Sequence, residues 1–140
     1  MDGFTLDPRL QSDCSLLLQD RDLSYLLHHN AEVTWFILVP HSEQTEFYRL
    51  PAQLQQRLLE QINRLSACLQ ADFASDKINL ATIGNVVSQL HIHVIGRRRD
   101  DAYWPDAVWG RAFAKTHDKA SVADIKTRLQ DCLGRYHEAD

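Results

Sequence analysis

Basic residues are in short supply. Against 19 Asp and Glu the 140-residue chain sets only 15 Lys and Arg, a formal net charge of −4. A nucleic-acid binder needs a basic face to displace phosphate counterions, so this balance argues against a nucleic-acid partner. Cysteine is scarce as well. Cys14, Cys68 and Cys132 are an odd set, far apart and without CxxC spacing, which offers neither a disulfide framework nor a zinc knuckle. Cys68 and Cys132 fall inside helical apolar patterns and read as small core residues. No run approaches the ~20 apolar residues of a membrane span, so no membrane partner is expected. The start, MDGFTLDPRL, lacks the basic and apolar segments of a secretory leader, and a reducing cytoplasm is the expected compartment. Repeats, low-complexity tracts and linker-like stretches are missing too, so residues 1–140 read as a single domain.

What is present suits a buried core. Hydrophobic residues make up 44% and charged residues 24%, a balance of folded rather than disordered chains. Cys14–Leu18 and Leu23–Leu27, apolar with a polar run between them, predict a strand hairpin. Trp35–Val39 is a continuous apolar run stopped by Pro40, a buried strand. Leu50, Leu54, Leu58, Ile62, Leu65 and Leu69 recur at spacings of three and four, which predicts one long helix ending near Phe73. Pro51 fits its first turn. Ile78–Ile83 reads as a strand, with Gly84-Asn85 as a turn or bulge. Asp100–Lys119 reads as loop with a short helix. Ser121 and Asp124 form an N-cap pair, and Val122, Ile125, Leu129, Leu133 and Tyr136 mark a C-terminal helix over about 121–138. The order implies an α+β domain, an antiparallel sheet with helices on one side.

The chemistry concentrates between Gly84 and Arg97. Gln89–Ile95 alternates strictly, which predicts a strand with Leu90, Ile92 and Val94 facing the core. Gln89, His91 and His93 would then line the other face, with neighbours roughly 6–7 Å apart. Such a row can supply a nucleophile, proton donors and phosphate-binding groups together. Two other readings stand beside it. The histidines could simply occupy a half-exposed strand. Alternatively, the HxH pair could ligate a metal with help from His28, His29 or His41, although no acid lies within the strand. Arg97-Arg98-Arg99 reads as polyphosphate binding or, more simply, as a charged strand end balanced by Asp100-Asp101.

These segments resemble the histidine-triad (HIT) superfamily, whose motif is His-x-His-x-His-x-x with apolar x. Gln89-Leu90-His91-Ile92-His93-Val94-Ile95 matches all but the first position. Gly84-Asn85-Val86 resembles the Gly-Gln-(Ser or Thr) that precedes the motif. His29-Asn30 and Thr34–Pro40 resemble the family's earlier strand segments, and Trp104-Pro105 and Trp109-Gly110 resemble bacterial HIT-like hydrolases. The resemblance runs from about Leu16 to Gly110, within a motif-bearing core of about 14–110. It implies a HIT fold, a homodimer and no cofactor or bound metal. It implies hydrolysis or transfer at the α-phosphate of a nucleotide, with His91 as nucleophile through a nucleotidyl-histidine intermediate. His93 and Gln89 complete the catalytic set, and Asn30, Asn85 and His29 bind substrate. Asn30 and Asn85 could equally serve their own turns.

The departures from the family pattern fall together. Gln89 replaces the first histidine, Val86 replaces a hydroxyl residue, and Trp35 stands where relatives carry a histidine that partners the first triad histidine. The resemblance therefore leaves two rivals to an active nucleotide hydrolase: a nucleotide-binding protein with weakened turnover, and a metal-dependent hydrolase using His91 and His93.

Overall fold

Strand alternation and helical periodicity combine into one antiparallel sheet with two unlike faces. The computed structural model describes residues 3–139, with side chains over 3–135. The elements are α1 (Pro8–Asp13), β1 (Cys14–Gln19), β2 (Leu23–His28), β3 (Thr34–Pro40), a 3-10 turn (Phe47–Arg49), α2 (Ala52–Asp72), β4 (Lys77–Ala81), β5 (Ile92–Arg97) and α3 (Lys119–Ala139). The strands lie in the order β1-β2-β3-β5-β4, every neighbouring pair antiparallel. The α+β class expected from the sequence is the class observed.

Helices close one face. The apolar stripe of α2 buries Leu58, Ile62, Leu65 and Leu69. It packs with Ile125 and Leu129 of α3 against Leu27, Phe36, Leu38, Ile92 and Val94 of the sheet. Each such side chain contributes about 1.5–3 kcal/mol through removal from water. Gly96 of β5 lets α2 approach closely: a Cβ there would sit 2.1 Å from Ser75 Oγ and 2.9 Å from Leu69 Cδ2. On the opposite face Leu26, Trp35, Ile37, Val39 and Ile95 form a second cluster with Leu10, Tyr103 and Val108.

Several boundaries depart from expectation. Pro51 is the N-cap of α2 rather than its first helical residue. β4 stops at Ala81, short of Ile83. The α1 helix was not anticipated; Asp7 caps it by accepting the Arg9 N–H, and Pro8 opens it. Asp118, not Ser121, caps α3, since its Oδ1 accepts the Ser121 N–H at 2.8 Å. Asp124 pairs with Arg128 instead, at 3.7 Å. Tyr136 lies where side chains are outside the described residues. Between Arg98 and Asp118 there is no helix, only turns, irregular chain and a single bridge from Thr116 to Asn30, with a cis Trp104–Pro105 bond.

The cysteine expectation is corrected. Cys68 of α2 and Cys132 of α3 form a disulfide, with Cα atoms 5.9 Å apart. Their separation of 64 residues along the chain hid the pairing; packing the two buried helix faces together creates it. Cys14 is free and buried. Burial, helped by nearby Asp13, pushes its thiol up to about 12.

Arg97 pins the segment after β5 over the second face. Its side chain and that of Asp101 are 2% and 1% exposed. The guanidinium donates to Asp101 at 2.8 and 3.0 Å and to Asn79 Oδ1 at 3.0 Å. Asp101 also accepts the backbone N–H groups of Arg98, Tyr103 and Trp104. Burial alone would raise the Asp101 pKa, but the Arg97 hydrogen bond, the Tyr103 and Arg98 N–H groups and the Arg97 charge outweigh it and hold the carboxyl low. The strand-end reading of Arg97 is the one the structure bears out.

Candidate active site

The second sheet face carries a cleft of about 350 Å³ with His91 and His93 in its wall. Both rings are 6% exposed. Ile37 of β3 pairs with His93, so His93 shares the face of Trp35 and Ile37 rather than that of Phe36 and Leu38. The expected strand over Gln89–Ile95 is shorter than predicted, because β5 begins at Ile92. Leu38 pairs with Ile92, so residue 90 would oppose Pro40, which has no N–H to offer a ladder.

Losing the ladder turns residue 89 away. Gln89 Oε1 accepts the Asp7 N–H at 2.8 Å, and Nε2 donates to Thr5 O at 2.9 Å. The side chain lines a separate groove with Thr5, Asp7 and Ser42. The single row of three side chains expected from alternation is therefore a pair facing the cleft, with Gln89 clasping the N-terminal segment. What Gln89 contributes to the cleft is its backbone: its carbonyl oxygen lies 2.7 Å from His91 Nδ1. A carbonyl can only accept, so His91 carries its proton on Nδ1 and keeps a lone pair on Nε2.

His93 has the opposite arrangement. The Trp35 indole N–H donates to His93 Nδ1 at 2.9 Å. An indole nitrogen can only donate, so the His93 proton sits on Nε2. Burial first, then the neighbouring His91 and His28 rings, push its pKa down to about 3. The two imidazoles meet edge to face with centroids 4.9 Å apart. One presents a lone pair at Nε2 and the other an N–H.

His28, at the end of β2, belongs to the same wall. It stacks on Trp35 at 4.1 Å, and its Nδ1 accepts the Asn30 N–H at 3.0 Å. Burial brings its pKa down to about 4, with Asp13 opposing and His29 and His117 assisting. His29, the residue that motif position points to, lies outside the cleft with Nε2 3.4 Å from Ser15 Oγ. The signal for His28 was available: it follows Leu26 by two residues, and Leu26 faces this side. Asn30 reaches the cleft while serving its own turn. Its Oδ1 accepts the Glu32 N–H and its Nδ2 donates to Tyr103 OH. Asn85 is exposed at the cleft edge beside Gly84, whose φ of +71° suits the missing Cβ. Val86 lies there too.

The remaining wall comes from Trp109, which the Trp109-Gly110 resemblance includes, and from Val108 and Phe113, which no motif flags. Trp109 stands edge-on to His93 at 5.3 Å and to Trp35 at 5.9 Å. Its buried Nε1 has no protein partner, and it lines the cleft with Phe113 and Val108. Arg9 and Arg111 stand at the rim, each beside an aspartate: Asp7 at 3.8 Å and Asp106 at 2.9 Å. Among the described residues no group of three or more His, Cys, Asp and Glu is placed to hold a metal ion. The donor set that the metal reading requires is therefore not assembled there. A lone pair beside a fixed N–H, walled by aromatic rings, can attack a phosphorus centre and hold a phosphoryl oxygen.

Comparison with known proteins gives the family and the fold. The HIT domain profile matches residues 9–100. A histidine triad protein from Marinobacter aquaeolei VT8 is 38% identical, with a TM-score of 0.87 over 94% of this chain and 97% of its own. A histidine triad (HIT) protein from Sinorhizobium meliloti 1021 is 32% identical, with a TM-score of 0.89 over 94% and 98%. A histidine triad protein from Bradyrhizobium japonicum is 33% identical, with a TM-score of 0.87 over 93% and 98%. No match was found among curated proteins.

Proposed function

Because the chain belongs to the HIT domain family, we propose that it hydrolyses or transfers nucleotides at the α-phosphate, with His91 as the nucleophile. The observation that carries this reading is the bond between His91 Nδ1 and the Gln89 carbonyl, 2.7 Å long. It leaves the Nε2 lone pair free within a cleft of about 350 Å³. That size suits a small ligand largely enclosed by protein.

The step balances as follows. The Nε2 lone pair of His91 forms a bond to the α-phosphorus, and the bond from phosphorus to the leaving group breaks. The leaving group departs with its electron pair and takes a proton from water. The hydroxide so formed then attacks the phosphorus, the N–P bond breaks, its electron pair returns to His91, and the nucleoside monophosphate leaves. His93 donates its Nε2 hydrogen to a phosphoryl oxygen. Asn30 binds ribose hydroxyls and Asn85 a phosphate or sugar oxygen. Gln89 acts through its carbonyl, and His28, in place of His29, lines the substrate side. The substrate is a dinucleoside polyphosphate or a nucleoside phosphoramidate. The test is single-turnover labelling with a nucleotide tagged on its α-phosphate. An acid-labile adduct on the wild type that is missing from His91→Ala supports the reading. An adduct that survives in His91→Ala refutes it.

One observation favours a second reading, a nucleotide-binding protein with weakened turnover. The position that should carry the first triad histidine holds an amide turned toward Thr5 and Asp7, and an amide neither gives up nor takes on a proton near neutral pH as an imidazole can. Nucleotide binding without any adduct would select it. The homodimer belongs to the same proposal. Leu59 of α2 and Leu80 of the edge strand β4 are 56% and 54% exposed, which suits sheet extension across a two-fold axis. Sedimentation of one 16.1 kDa species at micromolar concentration would exclude it. No helix among the described residues is long and apolar enough to cross a membrane. A cytoplasmic location remains the proposal, and the Cys68–Cys132 bond weighs against it, since disulfides persist in oxidising compartments.

A further inference from the structure

We infer that Trp35 is a positioning residue that locks His93 as a single-tautomer, neutral hydrogen-bond donor, through the indole N–H it places on His93 Nδ1. The inference rests on the nucleotide reading only for what the donor is used for; the lock itself is a property of the free protein.

Geometry carries it. The Nε1 to Nδ1 distance is 2.9 Å, and Trp35 and His93 are 5% and 6% exposed, so water does not compete for the bond. Indole has no acceptor, and its hydrogen fills the Nδ1 lone pair. A doubly protonated His93 would bring two N–H groups head to head. The proton therefore stays on Nε2. Trp35 is itself held from both sides, stacked on His28 at 4.1 Å and 13° and met edge-on by Trp109 at 5.9 Å. His28 is fixed in turn by the Asn30 N–H on its Nδ1. The N–H of Trp35 is thus aimed by packing.

The other groups around His93 reinforce the lock. His91 approaches from the residue before β5 and His28 from β2, and both disfavour a positive charge on His93. Trp109 brings no charge from the segment after β5. At the rim Arg9 and Asp13 of α1 and Arg111 face the same cleft, with Arg9 beside Asp7 and Arg111 paired to Asp106. A group so held donates a hydrogen bond and does not carry a proton. Preorganised donors of this kind act where charge develops on an oxygen in the transition state. The two histidines of the motif are therefore not interchangeable. One is aimed by a carbonyl and the other by an indole, and these give opposite tautomers.

The test begins with nitrogen-15 NMR of the histidine side chains in the wild type, without nucleotide. The expected His93 signals are a protonated Nε2 and an unprotonated Nδ1, unchanged from neutral pH to about pH 5, below the ordinary imidazole value of about 6.5. A proton on Nδ1, or a doubly protonated ring at pH 5, overturns the inference whatever the protein's activity. Trp35→Phe keeps an aromatic ring against His28 and removes the donor, along with part of the indole's bulk. In that variant, shown folded by circular dichroism, His93 should titrate closer to 6.5. A kcat fall of roughly three- to tenfold should follow, the worth of one hydrogen bond between neutral groups, with KM little changed. Trp35→His, which restores a ring N–H, should recover part of the loss. A folded Trp35→Phe whose His93 spectrum matches the wild type at every pH also overturns it. Absence of nucleotide turnover with the expected spectra would instead defeat the functional proposal and leave the lock standing.

Discussion

The two faces of the sheet are built by different means. The helix-covered face is periodic: leucines and isoleucines of α2 and α3 stack at helical spacing onto alternate strand residues. A covalent bond, Cys68–Cys132, ties the two helices together. The cleft-bearing face is aperiodic. Two segments cover it, the residues after β5 and an N-terminal stretch that carries the short helix α1, and each is fixed by a few directional contacts. Arg97 and Asp101 hold the segment after β5, and the Gln89 amide holds the N-terminal residues. Apolar burial is non-directional and tolerates small changes. A cleft that must aim two imidazoles needs directional bonds, and those are lost all at once when one partner goes.

If the faces differ in this way, changes on the cleft face should be the costliest to function. His91→Ala should lower nucleotide turnover by at least ~10³-fold while binding survives, as nucleophile removal does. His93→Ala should cost roughly 10²–10³, the worth of one charge-stabilising donor. Steady-state and single-turnover kinetics on both variants would check this. A larger loss at His93 than at His91 would reverse the assignment of the two rings.

Arg97→Met probes the ionic tie. It leaves a buried Asp101 without its partner, a change that typically costs about 3–5 kcal/mol. Urea denaturation should show it, and Arg97→Met with Asp101→Leu should regain much of the loss. A cost below about 1 kcal/mol for the single variant would mean that the tie is solvated. Acid should act on this same face. Asp101 is held below its ordinary 3.8, so its contribution is complete above that value and fades only as pH falls through the lower folded value. His28 and His93 act earlier. Their pKa values drop from 6.5 to about 4 and about 3, so the unfolded chain binds more protons across that window, and stability declines as pH falls from 6.5.

The covalent tie should matter for stability and hardly at all for the cleft. Removing it through Cys68→Ala with Cys132→Ala should cost about 2–4 kcal/mol, the usual worth of a disulfide, and leave adduct formation on His91 unchanged. Thiol titration of the unreduced, unfolded protein should count one free cysteine, Cys14. A count of three would remove the covalent half of the contrast.

The same contrast explains what could be read from the sequence. The hairpin, the Trp35–Val39 strand and the leucine stripe of α2 were legible because periodicity alone places them. His91 and His93 were legible through alternation. The disulfide was not, because it depends on how two helices pack. The α1 helix was not, because its six residues carry too little periodicity to show, and the place of Trp109 against His93 was not, because only the folded chain brings the two together. Motif position points to His29, whereas strand alternation from Leu26 points to His28, the ring that lines the cleft. The unbroken pattern Gln-Leu-His-Ile-His puts Gln89 in the histidine row. Nothing in it shows that Pro40 ends the ladder or that Thr5 and Asp7 hold the amide.

The smallest expected effect tests that last point. Gln89→Ala removes an acceptor for Asp7 N–H and a donor to Thr5 O, each worth about 0.5–1.5 kcal/mol of stability. It keeps the carbonyl that orients His91. Turnover should therefore change by less than about tenfold, equivalent to about 1.4 kcal/mol of barrier. Gln89→His should gain nothing, because a side chain at 89 points into the N-terminal groove and away from the cleft. A positioned proton carrier is worth roughly 10²–10⁴. A gain of that size in Gln89→His would mean that residue 89 reaches the substrate after all. The N-terminal segment would then have to move aside during turnover, and the cleft face would owe its form to the substrate as much as to its own hydrogen bonds.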